Sequence, residues 1–176
     1  MAPLNYSDDF IADVLGNARV FAMVGASANT SRPSYFAMKY LLAKGYTVHP
    51  INPGLAGQTL LKQQVFGDLA GVPAPVDIVD IFRNSDAAGA IVDEAIALKD
   101  QLGIKCVWMQ LGVRNDDAAA RAESAGLQVV MNRCPKIEYG RLSGEIGWAG
   151  VNSGVISSAR PKLAPGGVQN HVIARR

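Results

Sequence analysis

The segment that decides the fold is "RVFAMVGASANTSRPSYFAMKYLLAKGYTVHPIN", Arg19 to Asn52. It opens on a near-continuous apolar run, Arg19–Gly25, that ends in glycine. Such a run, without alternation, reads as a strand buried on both faces, as in a parallel sheet. Pro33 suits the first residue of a helix, where its missing N–H costs nothing. Phe36, Met38, Tyr40, Leu41 and Leu42 give that helix a broad apolar surface, and Gly45 ends it. Tyr46–Asn52 reads as a second strand, broken by Pro50 and Pro53. This is the frame of a nucleotide-binding strand–turn–helix. Yet only Gly25 stands where a dinucleotide fingerprint places three glycines.

Upstream, Ser7 can cap a short helix over "DDFIADVL", closed by Gly16 and Asn17. Downstream, after a loop with Gly54 and Gly57, "VDIVDIF" (Val76–Phe82) reads as a strand. Ser85 caps a helix that runs to Gly103. "IKCVWMQ" (Ile104–Gln110) is a strand. Asn115 caps a helix with two carboxylates in its first turn and Gly126 as its stop. "LQVVMN" (Leu127–Asn132) is the last strand. Five strands alternating with helices of this length imply right-handed crossovers. The expected fold is α/β, a doubly wound, mostly parallel sheet with helices on both faces. The residues from Arg133 on, rich in Gly, Ser and Pro, are expected to wrap the domain as an extended tail.

The chain of 176 residues is one domain's worth, and 49% hydrophobic content is enough for a real core. Net charge is +2, with basic residues scattered rather than in a stripe. That argues against a nucleic-acid partner. Arg175 and Arg176 read as a solvated end. Cys106 and Cys134 fall in different elements, without a CxxC pair or a histidine cluster, so neither a metal site nor a disulfide framework is expected. Asp8 and Asp9 stand where a secretory signal would be basic and then apolar. No apolar run reaches the roughly 18–20 residues of a membrane span. A cytoplasmic protein without membrane association is expected.

In an open parallel sheet, ligands bind beyond the carboxyl ends of the strands, where strand order reverses. Those ends are Gly25-Ala26-Ser27, Asn52-Pro53, Phe82-Arg83, Gln110-Leu111-Gly112 and Asn132-Arg133-Cys134. The first leads into the helix at Pro33, whose N–H groups and dipole suit a phosphate. Ser27, Ser31 and Ser34 add hydroxyls, and Arg32 a permanent charge. Pro33 and Ser34 also start a helix well without any ligand.

The second strand end decides which nucleotide fits. An NAD site needs a carboxylate there for the ribose hydroxyls. Val48-His49-Pro50-Ile51-Asn52-Pro53 holds none, and no basic group for NADP follows until Lys62. Asn52, flanked by prolines, suits an adenine wall or a neutral hydrogen bond. His49 is a lone histidine with a packed or surface role. Phe82 can lie against a base, and Arg83 can pair with a phosphate bidentately. Two cations aimed at one crevice imply a ligand with several phosphates. Asp77 and Asp80, Asp116 and Asp117, and Asp8 and Asp9 are neighbours that helix starts and strand edges explain better than paired acid catalysis.

"VGAS…RPSY…YLL..GY.V.P.NP", "DIFR", "W.Q.GV" and "V.NRCPKIEYGRL" together resemble the small stand-alone CoA-binding proteins. Their domain is similar to the N-terminal CoA-binding domain of the succinyl-CoA synthetase alpha subunit. The resemblance covers about Phe10 to Leu142, and the tail motif "EIGW.G.N.GVIS" also looks like the stand-alone proteins. It implies a Rossmann-like domain over residues 1–142, with residues 143–176 as an extended C-terminal tail packed on it. It further implies that Gly25, Ala26, Ser27, Arg32, Pro33 and Ser34 bear on the CoA phosphates. Asn52, Pro53, Phe82 and Arg83 would line the nucleotide. Gln110, Leu111, Gly112 and the Asn132–Pro135 region would lie toward the pantetheine arm. CoA carries a pyrophosphate and a ribose 3′-phosphate, which suits paired arginines without a ribose-seeking carboxylate. The synthetase's lysine after the second strand stands here, by position, as Leu55, and the sequence ends where its second domain, with the phosphorylated histidine, would begin, so ligase chemistry is not expected to carry over.

Three functions stay in competition. The first is a non-catalytic binder of coenzyme A or acyl-CoA, acting as sensor, carrier or partner subunit. The second is a CoA-dependent enzyme or redox protein using Cys134. The third is an NAD-type binding protein. A protein partner or a homo-oligomer is compatible with each.

Overall fold

The structure, a computed structural model, describes residues 4–145 and 172–173. The chain divides into two units, Ala18–Arg133 and a second formed by Met1–Asn17 with Cys134–Arg176. In chain order the elements are α1 (Asp8–Asn17), β1 (Val20–Val24), α2 (Pro33–Ala43), β2 (Thr47–Ile51), a short 3-10 turn (Pro53–Leu55), β3 (Thr59–Leu60), β4 (Gln63–Gln64) and β5 (Ile78–Ile81). They continue with α3 (Ser85–Leu102), β6 (Cys106–Met109), α4 (Asp116–Ser124), β7 (Gln128–Val130) and α5 (Pro135–Leu142).

Within Ala18–Arg133, five parallel strands form one sheet in the order β2-β1-β5-β6-β7. β1 leads outward through α2 to β2, whereas β5 leads the other way through α3 and α4. Right-handed crossovers in opposite directions put α2 on one face and α3 and α4 on the other. The Rossmann-like α/β arrangement expected from the sequence is therefore present. The central strands explain the apolar runs. Phe21, Ala22 and Met23 of β1, Ile78 to Ile81 of β5 and Cys106 to Met109 of β6 are all buried. Each large apolar side chain among them contributes roughly 1.5–3 kcal/mol by leaving water.

α1, α2 and α4 start where the sequence asks. Ser7 Oγ accepts from Phe10 N at 3.2 Å. Pro33 is the first residue of α2, and Asn115 Oδ1 accepts from Ala118 N at 3.0 Å. The cap of α3 lies one residue earlier than expected. Asn84 Oδ1 accepts from Ala87 N at 2.9 Å, while Ser85 Oγ instead accepts from Arg114 N at 3.0 Å.

Three further expectations are corrected. Pro50 does not break β2 but lies inside it. Its carbonyl accepts from Phe66 N, on the side away from β1, so its missing N–H costs the sheet nothing on this edge strand. The loop after Pro53 holds an antiparallel hairpin, β3–β4. The segment from Arg133 is not wholly extended, since Pro135–Leu142 is helical. The proposed tail, 143–176, lies outside the described residues except for 143–145 and 172–173.

In the second unit, α1 and α5 pack together. Arg141 joins them, donating to Asp8 Oδ1 at 2.8 Å and to Glu138 Oε2 at 2.6 Å. Tyr139 Oη accepts from Ile173 N at 3.2 Å. No helix among the described residues is long and apolar enough to cross a membrane.

Candidate functional site

Strand order reverses between β1 and β5, so the crevice for a ligand opens at the carboxyl ends of these two strands. The turn after β1 is built around Gly25, at φ +89°. A Cβ there would stand 2.5 Å from the Phe82 carbonyl oxygen and 3.1 Å from Arg83 Cδ. Only glycine lets β1 and β5 end this close together, and the closeness lays the Arg83 stem against the turn. Gly25 N and Ala26 N both donate to Ile51 O, at 3.0 and 3.2 Å.

Asn52, at the end of β2, is a brace. Its Nδ2 donates to Ala26 O at 2.7 Å and its Oδ1 accepts from Gly54 N at 2.9 Å. Both ends of the amide therefore shape the turn. Pro53 is exposed beside it. Beyond Ala26 the loop closes on itself. Asn29 N donates to Ser27 Oγ at 3.1 Å, and Ser31 Oγ donates to Asn29 Oδ1 at 2.6 Å. Arg32 is the exposed N-cap residue of α2, and Ser34 is buried at 4% exposure.

The arginines divide sharply. Among the seven in the described residues, Arg19, Arg114, Arg121, Arg133 and Arg141 each spend side-chain hydrogen bonds on a carboxylate or a backbone carbonyl. Arg32 and Arg83 are the exceptions: neither guanidinium has a hydrogen-bond or ion-pair partner among the described residues. Both lie at the crevice end of the sheet, one starting α2 and one following β5.

The sequence reading missed Asp80. It is not at a strand edge but third of the four residues of β5, with no exposure. It lies in register between Met23 and Trp108, so these three side chains share a face. Two residues on lie Gly25, Phe82 and Gln110, just past the ends of β1, β5 and β6. Gln110 is 5% exposed, and its Nε2 donates to Asp80 Oδ1 at 2.8 Å. Burial pushes the Asp80 carboxyl up to about 8, against a smaller lowering by the Gln110 bond. The sequence signal was an acid inside an apolar central run, "DIVDIF". Asp77 is a different case, at the opposite end of the strand. Burial raises its pKa, but the Lys105 ammonium at 2.7 Å and the N–H groups of Arg19 and Val20 outweigh this and hold it below the usual range.

The remaining candidates fall into place. His49 is half-buried, edge-on to Phe66 with ring centres 5.6 Å apart, and burial lowers its pKa. Cys106 is buried, and burial together with the nearby Asp80 charge raises its thiol pKa. Cys134 is half-buried at the head of α5. At the ends of β6 and β7, Gly112 N donates to Asn132 Oδ1 at 2.7 Å, with Asn132 held at φ +53°.

Comparison with known proteins gives this crevice a context. The chain is 27% identical over 135 residues to the Bacillus subtilis protein YneT, covering 77% of this chain and 96% of that one. A hypothetical protein from Pyrococcus horikoshii superposes with a TM-score of 0.72 at 32% identity, covering 81% of this chain and 99% of that one. A dinucleotide-forming acetyl-coenzyme A synthetase from Candidatus Korarchaeum cryptofilum superposes with a TM-score of 0.56 at 25% identity. There the match covers 68% of this chain and only 27% of the synthetase. The family described as a CoA binding domain matches residues 19–140, which take in the whole parallel sheet and every residue nominated for the crevice. This chain belongs to that CoA binding domain family.

Proposed function

We propose that this protein binds coenzyme A or an acyl-CoA through its phosphates and adenine, without catalysis of its own. The pyrophosphate lies at the turn after β1 and the N-terminus of α2, and Arg32 and Arg83 carry the phosphate charge. The adenine lies toward the end of β2, beside Asn52 and Pro53, with Phe82 against the nucleotide. The observation that carries this reading is the pair of arginines, Arg32 and Arg83, that have no partner among the described residues and stand beside the β1–β5 switch point. A multiply charged anion is the ligand chemistry that such a pair suits. The end of β2 argues for CoA over NAD, since Val48 to Pro53 offers no carboxylate to a ribose diol.

Thermal-shift titration tests the reading. CoA raises the melting temperature with dose, as a ligand selective for the folded state does, and NAD at equal concentration does little. Arg32→Ala and Arg83→Ala each weaken CoA by about 1.5–3 kcal/mol while the unliganded melting temperature stays in place. A larger shift with NAD than with CoA would overturn the assignment. Equal affinity for CoA and dephospho-CoA would take the 3′-phosphate away from both arginines.

Absence of catalysis is tested separately. Cys134→Ser leaves CoA affinity almost unchanged, and the purified protein turns over no acyl-CoA. Turnover that vanished in Cys134→Ser would replace the binder by an enzyme.

A further inference from the structure

The carboxyl of Asp80 is an expensive thing to keep in the middle of a central strand. It is fully buried, Oδ1 accepts from Gln110 Nε2 at 2.8 Å, and Oδ2 has no hydrogen-bond partner among the described residues. An unsatisfied buried polar atom costs about 1–3 kcal/mol, so the packing of β5 alone gives no reason for an acid here. An apolar residue would continue the run from Ile78 to Ile81.

What the acid does is orient an amide. An ionised carboxylate accepts at both oxygens, and the neutral acid with its proton on Oδ2 still accepts at Oδ1. Gln110 Nε2 is thereby turned into the sheet. A planar amide places its oxygen on the other branch, so Oε1 is the atom turned away from Asp80. Gln110 stands at the carboxyl end of β6, one strand beyond β5 on the side opposite β1 and β2. Neighbouring strands are about 4.8 Å apart. With the nucleotide over β2, β1 and β5, whatever extends from its phosphates over β6 meets Gln110.

We infer that Asp80 is a positioning residue that fixes the Gln110 amide with its oxygen toward the crevice, so that the β6 side of the site selects a ligand arm carrying amide N–H donors. This rests on the CoA-binding reading. In that reading the pantetheine arm, with its two secondary amides, passes Gln110, and the oriented amide gives the site a discrimination that the phosphate contacts do not supply. A site built to accept a hydrogen bond rejects a group that lacks the donor, because its own polar atom is left unpaired.

Two variants and two ligands test it. Asp80→Asn keeps an oxygen that accepts from Gln110, and its CoA affinity stays within about twofold of the parent. Asp80→Leu removes the acceptor, and CoA affinity falls about tenfold, on the order of one net hydrogen bond. Adenosine 3′,5′-bisphosphate, which has no pantetheine arm, binds the parent and Asp80→Leu alike. Equal loss for the two ligands, or no loss of CoA affinity, overturns the inference.

A ligand-free measurement separates it from the proposed function. In the unliganded parent and in Asp80→Asn, the Gln110 side-chain amide protons, assigned by their disappearance in Gln110→Met, exchange slowly with solvent. In Asp80→Leu they exchange fast. Fast exchange in the parent overturns the positioning role even if CoA binds. Slow exchange with no CoA binding by the parent sinks the CoA reading and leaves the Asp80–Gln110 arrangement standing.

Discussion

Gly25→Ala is expected to cost about 3 kcal/mol or more of stability and to abolish CoA binding. Two penalties act together. The residue sits at φ +89°, where an L side chain is strained by about 1–2 kcal/mol. The added methyl also meets the Phe82 carbonyl oxygen at 2.5 Å. That atom is backbone of the neighbouring strand end, so it cannot swing aside as a side chain would. Relief requires β1 and β5 to part at their carboxyl ends, which moves Arg83 with them. Gly126→Ala is the control. Gly126 has nearly the same backbone angle, φ +85°, and a Cβ there meets nothing within 4 Å. It pays the conformational penalty alone. Urea denaturation of both variants gives the comparison. Equal losses would show that the contact with Phe82 is irrelevant and that the turn is not built around close approach.

The parallel sheet was legible because burial on both faces leaves a plain trace. "VFAMV", "IVDI" and "CVWM" are apolar nearly throughout, and helix caps and glycine stops separate them. What stayed hidden depends on contacts that no local pattern records. The β3–β4 hairpin turns on Leu61 and Lys62, at φ +47° and +66°, where glycine or asparagine would have announced it. Pro50 reads as a breaker until its strand is known to be an edge. "PKIEYGRL" is a short helix in a stretch of glycine, serine and proline, and its Pro135 at the first position was a start signal.

The crevice was legible in part for the same reason. A parallel sheet puts its site at the strand ends, so Gly25, Arg32 and Arg83 could be nominated before the strand order was known. The order itself decides which ends are neighbours, and sequence does not contain it. The two braces of the site span 26 and 30 residues, Asn52 to Ala26 and Gln110 to Asp80. Asn52, nominated as an adenine wall or a neutral hydrogen bond, also clamps the turn, which its sequence did not announce. Asp80 looked like one acid of an adjacent pair. Its separation from Asp77 by most of a strand shows that the two carboxyls have opposite environments and opposite pKa shifts.

That opposition gives the pH dependence of folding a definite sign. The folded chain holds the Asp80 proton up to about pH 8, whereas the unfolded chain releases it near the ordinary carboxylate value of 3.8. Between these limits the folded state binds more protons, so the Asp80 contribution falls as pH rises, by up to about 1.4 kcal/mol per pH unit, and levels off above 8. Asp77, with its pKa lowered, stabilises above its unfolded value and loses this only as pH falls through the folded one. His49, lowered by burial, also loses stability toward acid, below the usual histidine value of 6.5. Cys106, raised by burial, acts only on the alkaline side of the ordinary thiol value. The parent curve mixes these slopes, and Asp80→Asn removes one of them. Urea midpoints at about pH 5.5, 6.5, 7.5 and 8.5 should therefore show Asp80→Asn gaining on the parent at each step to pH 8 and no further beyond it. Parallel curves would mean that Asp80 titrates alike in both states. A parent that gained on Asp80→Asn as pH rose would mean that the carboxylate has a cationic partner. In the expected case the protein holds a carboxyl whose ionisation opposes folding. Retaining the acid makes physical sense if Gln110 Nε2 needs an acceptor within the sheet, and Asp80→Asn shows whether an uncharged one serves as well.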